Sequence, residues 1–65
     1  MALSEINELV TPAEAAAMVT LSVREIYAKE KAGNFPKSVD LSNRKKAFVK
    51  SEVQAWIDKM IEGRT

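Results

Sequence analysis

The chain has 65 residues, 46% of them apolar, which suits one small folded domain and excludes a disordered tail. It contains no Cys and no His, which excludes disulfides and thiolate chemistry and removes the commonest general base and metal ligand. Its 10 Lys and Arg against 9 Asp and Glu leave a formal charge of +1 that is unevenly spread.

Residues 1–8 read as an N-terminal extension, whose order the sequence leaves open, and 9–65 as a single domain. The opening Met1-Ala2-Leu3-Ser4-Glu5 has neither the basic leader nor the apolar core of a secretory signal. The longest unbroken apolar run, Ala15–Val19, falls far below the ~20 residues of a membrane helix. The expected setting is therefore the cytoplasm.

Thr11-Pro12-Ala13-Glu14 is a capping box with Pro at the first helical position. The Thr hydroxyl can accept from an orphan backbone N–H three residues on, and the Glu can reach back. A first helix is predicted from Pro12 to Met18, kept thin by Ala13, Ala16 and Ala17. Val19-Thr20-Leu21 reads as a tight turn. Ser22-Val23-Arg24-Glu25 is a second capping box and opens a helix from Val23 to Ala32. Gly33 suits the left-handed residue that closes it. At 100° per residue, Val23, Ile26 and Tyr27 share one side, and Arg24, Glu25, Ala28 and Ala32 face the other. Lys29 and Lys31 fall on the flanks. Glu30 falls near the apolar side, so it is expected at a rim or paired with a base.

Phe35-Pro36 breaks helix, because the residue before Pro disfavours it. Lys37–Leu41 alternates polar and apolar residues and reads as a strand. Ser42-Asn43-Arg44 is turn chemistry, and Lys46–Val49 reads as the return strand of a short hairpin with a basic tip. Ser51-Glu52-Val53-Gln54 is a third capping box. The helix after it is predicted from Glu52 to Glu62, with Val53, Trp56, Ile57 and Met60 on one stripe and Gly63 at its end. Tyr27 and Trp56 lie on apolar stripes, so their rings are expected in the core.

The charge pattern follows these elements. Residues 1–23 carry Glu5, Glu8 and Glu14 and no base. Residues 24–50 carry Arg24, Lys29, Lys31, Lys37, Arg44, Lys45, Lys46 and Lys50 against Glu25, Glu30 and Asp40. Residues 51–65 turn net negative again. A basic middle between acidic ends suits a face that meets a polyanion, since phosphate contacts need Lys and Arg on one surface.

Two short helices joined by a three-residue turn make a helix-turn-helix, and a hairpin after the second helix makes a wing. The expected fold is mainly α with a small β-hairpin, a winged helix-turn-helix of three helices and a two-stranded wing. In such folds the second helix enters the major groove of double-stranded DNA and shows its early residues to base edges. The candidate DNA-binding residues of that helix are Ser22, Arg24, Glu25, Ala28, Lys29 and Lys31. Those of the wing and the start of its first strand are Lys37, Asn43, Arg44, Lys45 and Lys46. Arg24 can pair with guanine O6 and N7, and Arg44 suits a narrow minor groove. Glu25 can accept from cytosine N4, or serve only the cap with Ser22. No catalytic residue, metal ligand or cofactor site stands out, and an enzyme is not expected. Neither a membrane nor a small-molecule substrate is implied.

The sequence also resembles a family. Leu9-Val-Thr-Pro-Ala-Glu-Ala-Ala, then Leu21-Ser22, Ile26-Tyr27 and Gly33-Asn34-Phe35-Pro36-Lys37 look like the AlpA-type prophage regulators. So do Arg44, Phe48 and the run Ser51-Glu52-Val53-Gln54-Ala55-Trp56-Ile57. The resemblance implies a MerR-like winged helix-turn-helix, close in pattern to phage excisionases, that regulates genes of a prophage or integrated element. It implies that some relatives bend attachment-site DNA and steer an integrase. The sequence departs from the pattern at Thr20, where Gly is usual in the turn. Val23 and Ala28 stand where Arg is frequent, Glu25 where Thr is common, and Phe48 where Trp is usual.

Three readings follow. The first is a sequence-preferring transcriptional regulator, and the second an excisionase that uses the same residues. The third, motivated by Val23 and Ala28, is a protein-interaction adaptor or antirepressor. One copy can neutralise about four to six phosphates, each adding a salt slope of about −0.9. Tight binding is therefore expected to need further copies on adjacent sites or a partner such as an integrase or RNA polymerase.

Overall fold

The computed structural model describes residues 8–64. The elements in chain order are β1 (Leu9–Val10), α1 (Pro12–Val19), α2 (Val23–Lys31), β2 (Val39–Ser42), β3 (Lys45–Val49) and α3 (Lys50–Glu62). Of the N-terminal extension at 1–8, only Glu8 falls within the described residues.

Both capping boxes of the helix-turn-helix form. Thr11 Oγ1 accepts from the Glu14 amide at 3.0 Å, and the Thr11 amide donates to Glu14 Oε1 at 2.8 Å. Ser22 and Glu25 repeat this at 3.1 and 2.9 Å. The two helices also end alike. After α1, the Thr20 amide donates to the Ala17 carbonyl and the Leu21 amide to that of Ala16. After α2, the Gly33 amide donates to the Glu30 carbonyl and the Asn34 amide to that of Lys29. Each is a Schellman closure, which needs one left-handed residue. Gly33 supplies it at φ 84°, as the sequence predicts. Thr20 supplies it at φ 59°, a strained conformation for a β-branched residue.

The third helix corrects an expectation. α3 begins at Lys50, its N-cap is Val49, and no side chain caps it. Ser51 lies inside the helix, so the third capping box does not form. The Lys50 amide instead donates to the carbonyl of Glu8 at 2.7 Å, and Lys50 Nζ lies 3.7 Å from the Glu8 carboxylate. The first amide of the helix is thus satisfied by a backbone acceptor remote in sequence.

The sheet has three antiparallel strands in the order β1-β3-β2. Leu9 and Val10 pair with Val49 and Phe48, so β1 adds a strand to the expected hairpin. Across the hairpin, Val39 pairs with Ala47, Asp40 with Lys46 and Ser42 with Lys45. The step from Asp40 to Ser42 against one step of β3 is a bulge at Leu41. β2 starts at Val39, so Lys37 precedes the strand, and the turn narrows to Asn43-Arg44.

The core gathers Val10, Ala15, Ala16, Ile26, Phe35, Phe48 and Val53. Phe48, Ile26 and Val53 are fully enclosed. Each such side chain contributes about 1.5–3 kcal/mol by burial, so these three anchor the sheet, α2 and α3 to one another. Phe35 stands edge-on to Phe48 at 5.4 Å and to Trp56 at 5.0 Å. Tyr27 and Trp56 are half-buried and pack on this cluster, as their stripes predict. Met60 does not: it is 51% exposed at a level of α3 beyond the core.

Candidate nucleic-acid interface

α2 is held by Ile26 in the core, and Val23 and Tyr27 pack against the same cluster. That orientation turns Ser22, Arg24, Glu25, Ala28 and Lys31 to the surface, and all five are exposed. The expected outward face of the helix is therefore the observed one. Lys29 is half-buried instead. It lines an open groove with Asn34, Glu52, Trp56, Asp58 and Lys59, on the α3 side of the helix.

Glu25 is engaged by the cap. The Ser22 backbone amide, and then the Ser22 hydroxyl, hold its carboxyl below the ordinary glutamate range. Lys29, one turn along, acts in the same direction more weakly. The carboxylate is thereby ionised and turned toward the helix N-terminus. A base-edge contact from Glu25 would have to be made around that cap.

The hairpin projects beyond the core. Val39–Lys46 are all exposed, while Ala47 and Phe48 are buried. Asn43 and Arg44 form the turn itself. Lys45 and Lys46 are consecutive on β3 and so point to opposite faces of the sheet. Lys46 lies 3.5 Å from Asp40 across the hairpin, with both side chains in solvent. Such an exposed pair is worth about 0–1 kcal/mol and leaves Lys46 free to exchange partners. Among the described residues, Arg24, Lys31, Lys37, Arg44 and Lys45 have no ion-pair partner.

The structure thus brings two exposed elements out of one core: α2, with Arg24 beside Glu25 in its first turn and Lys31 in its last, and the basic hairpin tip with Lys37 at its base. Lys50, counted in the basic middle of the sequence, is turned to Glu8 at the other end of β3. Glu30 is half-buried at the rim, one of the two places expected of it, and it pairs with no base among the described residues. Its Oε2 accepts from the Ser38 amide at 2.7 Å and from the Ser38 hydroxyl at 2.8 Å. Nothing in the local sequence marks Ser38 as that partner.

Among the described residues, no helix is long and apolar enough to cross a membrane. No curated protein matches the chain. A family model described as "Prophage CP4-57 regulatory protein (AlpA)" matches residues 8–61, from the residue before β1 to the last turn of α3. With that match over nearly all the described residues, and a winged helix-turn-helix beneath it, the chain belongs to the AlpA family of prophage regulatory proteins.

Proposed function

We propose that this chain is a sequence-preferring double-stranded DNA-binding transcriptional regulator of a prophage or integrated mobile element. α2 enters the major groove, which at about 12 Å admits one helix with its side chains. Arg24 reads guanine, Ala28 packs on base edges, and Lys31 and the Ser22 hydroxyl meet phosphates. The wing lies on the backbone or in the minor groove through Arg44 and Asn43, with Lys37, Lys45 and Lys46 on phosphates. Lys29 contributes from the flank.

The observation that carries this reading is the pair of exposed elements, α2 with Arg24 and Lys31 and the basic wing, fixed to one core by Ile26 and Phe48. Two elements that grip one duplex must leave the core at fixed points, and those two enclosed side chains fix where α2 and β3 are rooted. The partly engaged Glu25 and the few bases on α2 point to modest affinity for one copy. Cooperation with further copies on adjacent sites, or with an integrase or RNA polymerase, supplies the rest.

Selection from a randomised duplex pool tests the reading, followed by hydroxyl-radical footprinting of the winning sequence. The expected result is one enriched motif, with protected phosphates flanking a major-groove site. A pool that enriches no motif contradicts it. An excisionase uses the same residues and is told apart by DNA bending and by footprints at attachment sites. An adaptor would keep its partner after loss of Arg24 and Arg44.

A further inference from the structure

β2 has no buried side chain: all four of its residues are exposed. Nothing on the strand itself anchors the wing to the helices, apart from its ladder to β3. The loop between α2 and β2 is pinned at its start. The Asn34 amide donates to Lys29, the Asn34 carbonyl accepts from Trp56 Nε1 at 2.7 Å, and Phe35 is buried. The direction of the chain after Pro36 depends on one further link. Glu30, on the last turn of α2, takes both donors of Ser38, the residue immediately before β2. Hydrogen bonds to an ionised acceptor are roughly twice as strong as neutral ones.

We propose that Glu30 is a positioning residue for DNA binding, whose carboxylate clamps Ser38 and so sets the angle between α2 and the wing. The proposal rests on the DNA-binding reading above. The Glu30 charge has the wrong sign for a phosphate contact, and its Oε2 is already taken by Ser38. Glu30 is an acid on the helix that faces a polyanion, and its removal should by charge alone tighten binding. The clamp requires the opposite, because a wing at the wrong angle cannot reach the duplex that α2 holds.

The test is a double-variant cycle read by fluorescence anisotropy, on the duplex the wild-type chain selects and on a non-specific duplex of equal length. The proteins are wild type, Glu30→Ala, Arg44→Ala and the double variant, each checked for fold by circular dichroism. Arg44→Ala alone should weaken binding about fivefold, and Glu30→Ala at least as much. In the Glu30→Ala background, Arg44→Ala should cost less than about twofold, and the salt slope should already be lower by about one to two. Glu30→Gln, which keeps an acceptor for Ser38, should recover part of the loss. A merely structural role would lower the melting temperature and leave the two effects additive.

Unchanged or tighter binding by folded Glu30→Ala overturns the clamp, and so does additivity with Arg44→Ala. Should Glu30→Ala fail to fold, Ser38→Ala, which removes the hydroxyl half of the link, takes its place in the same cycle with a smaller loss, and the same two outcomes decide. The two failures are distinguishable. If the wild type selects no duplex, or Arg24→Ala binds as well as the wild type, the DNA reading itself has failed. If Arg24→Ala weakens binding while Glu30 and Arg44 act independently, only the clamp has failed.

Discussion

The indole Nε1 of Trp56 donates to the carbonyl oxygen of Asn34 at 2.7 Å, fastening α3 to the loop that follows α2. The same indole stands edge-on to Phe35, with ring centroids 5.0 Å apart. One side chain thus joins the closing helix to both the polar and the apolar parts of that loop. Trp56→Phe keeps the ring and removes the donor. The expected loss is about 1 kcal/mol, read as a lower urea midpoint by circular dichroism.

The two Schellman closures predict opposite substitution effects. Thr20→Gly should stabilise the chain by about 0.5–1 kcal/mol, since a left-handed residue with a Cβ costs about 1–2 kcal/mol. Part of that gain is offset by the greater freedom of Gly in the unfolded chain. Gly33→Ala should destabilise it by about 1 kcal/mol. A Cβ at Gly33 meets no atom within 4 Å, so the whole cost is backbone strain at φ 84°. Urea titrations of both variants check the signs.

Phe48 is fully enclosed, edge-on to Phe35 and 6.2 Å from Tyr27. Phe48→Ala should cost about 3–5 kcal/mol. A domain this small has little more than that in reserve, so the variant should be largely unfolded at room temperature. Loss of near-ultraviolet circular dichroism and of cooperative melting would show it.

Acid should loosen the cap of α2. The Glu25 carboxyl is held below its ordinary value in the folded chain by the Ser22 amide and hydroxyl. A lowered folded-state value contributes stability that is complete above the unfolded-state value and lost as pH falls through the folded one. Wild type should therefore lose stability from neutral pH into the acid range, and Glu25→Gln should show a flatter limb. Urea midpoints across a pH series make the comparison.

Legibility in the sequence followed the range of the interactions. The boxes at Thr11–Glu14 and Ser22–Glu25 and the stop at Gly33 are local, and local chemistry decides them. The box at Ser51–Gln54 is equally good as a pattern, yet the helix starts earlier, at Lys50, whose amide finds the Glu8 carbonyl that β1 brings to it. β1 itself has two residues, too few for any periodicity. Met60 fits the stripe of α3, yet it lies at an open groove beside Met18–Leu21 and stays half exposed. At the candidate interface, the outward turn of Arg24, Glu25 and Ala28 was readable from the helical period. The partners of Glu30 and Lys46 and the groove beside Lys29 depend on which elements pack together, and no local pattern carries that.

One titration tests the placement of α2 and the wing on DNA: wild type, Arg24→Ala and Arg44→Ala against the selected duplex, at about 50 and about 200 mM salt. With about four to six phosphates engaged, wild-type affinity should fall roughly a hundred- to two-thousandfold between the two conditions. Arg24→Ala should lose about 1–3 kcal/mol of preference for the selected duplex over the non-specific one. Arg44→Ala should lower the salt slope by about 1. Folded variants that bind as the wild type does, or a wild type that shows neither salt dependence nor preference, would contradict the placement of α2 and the wing on DNA.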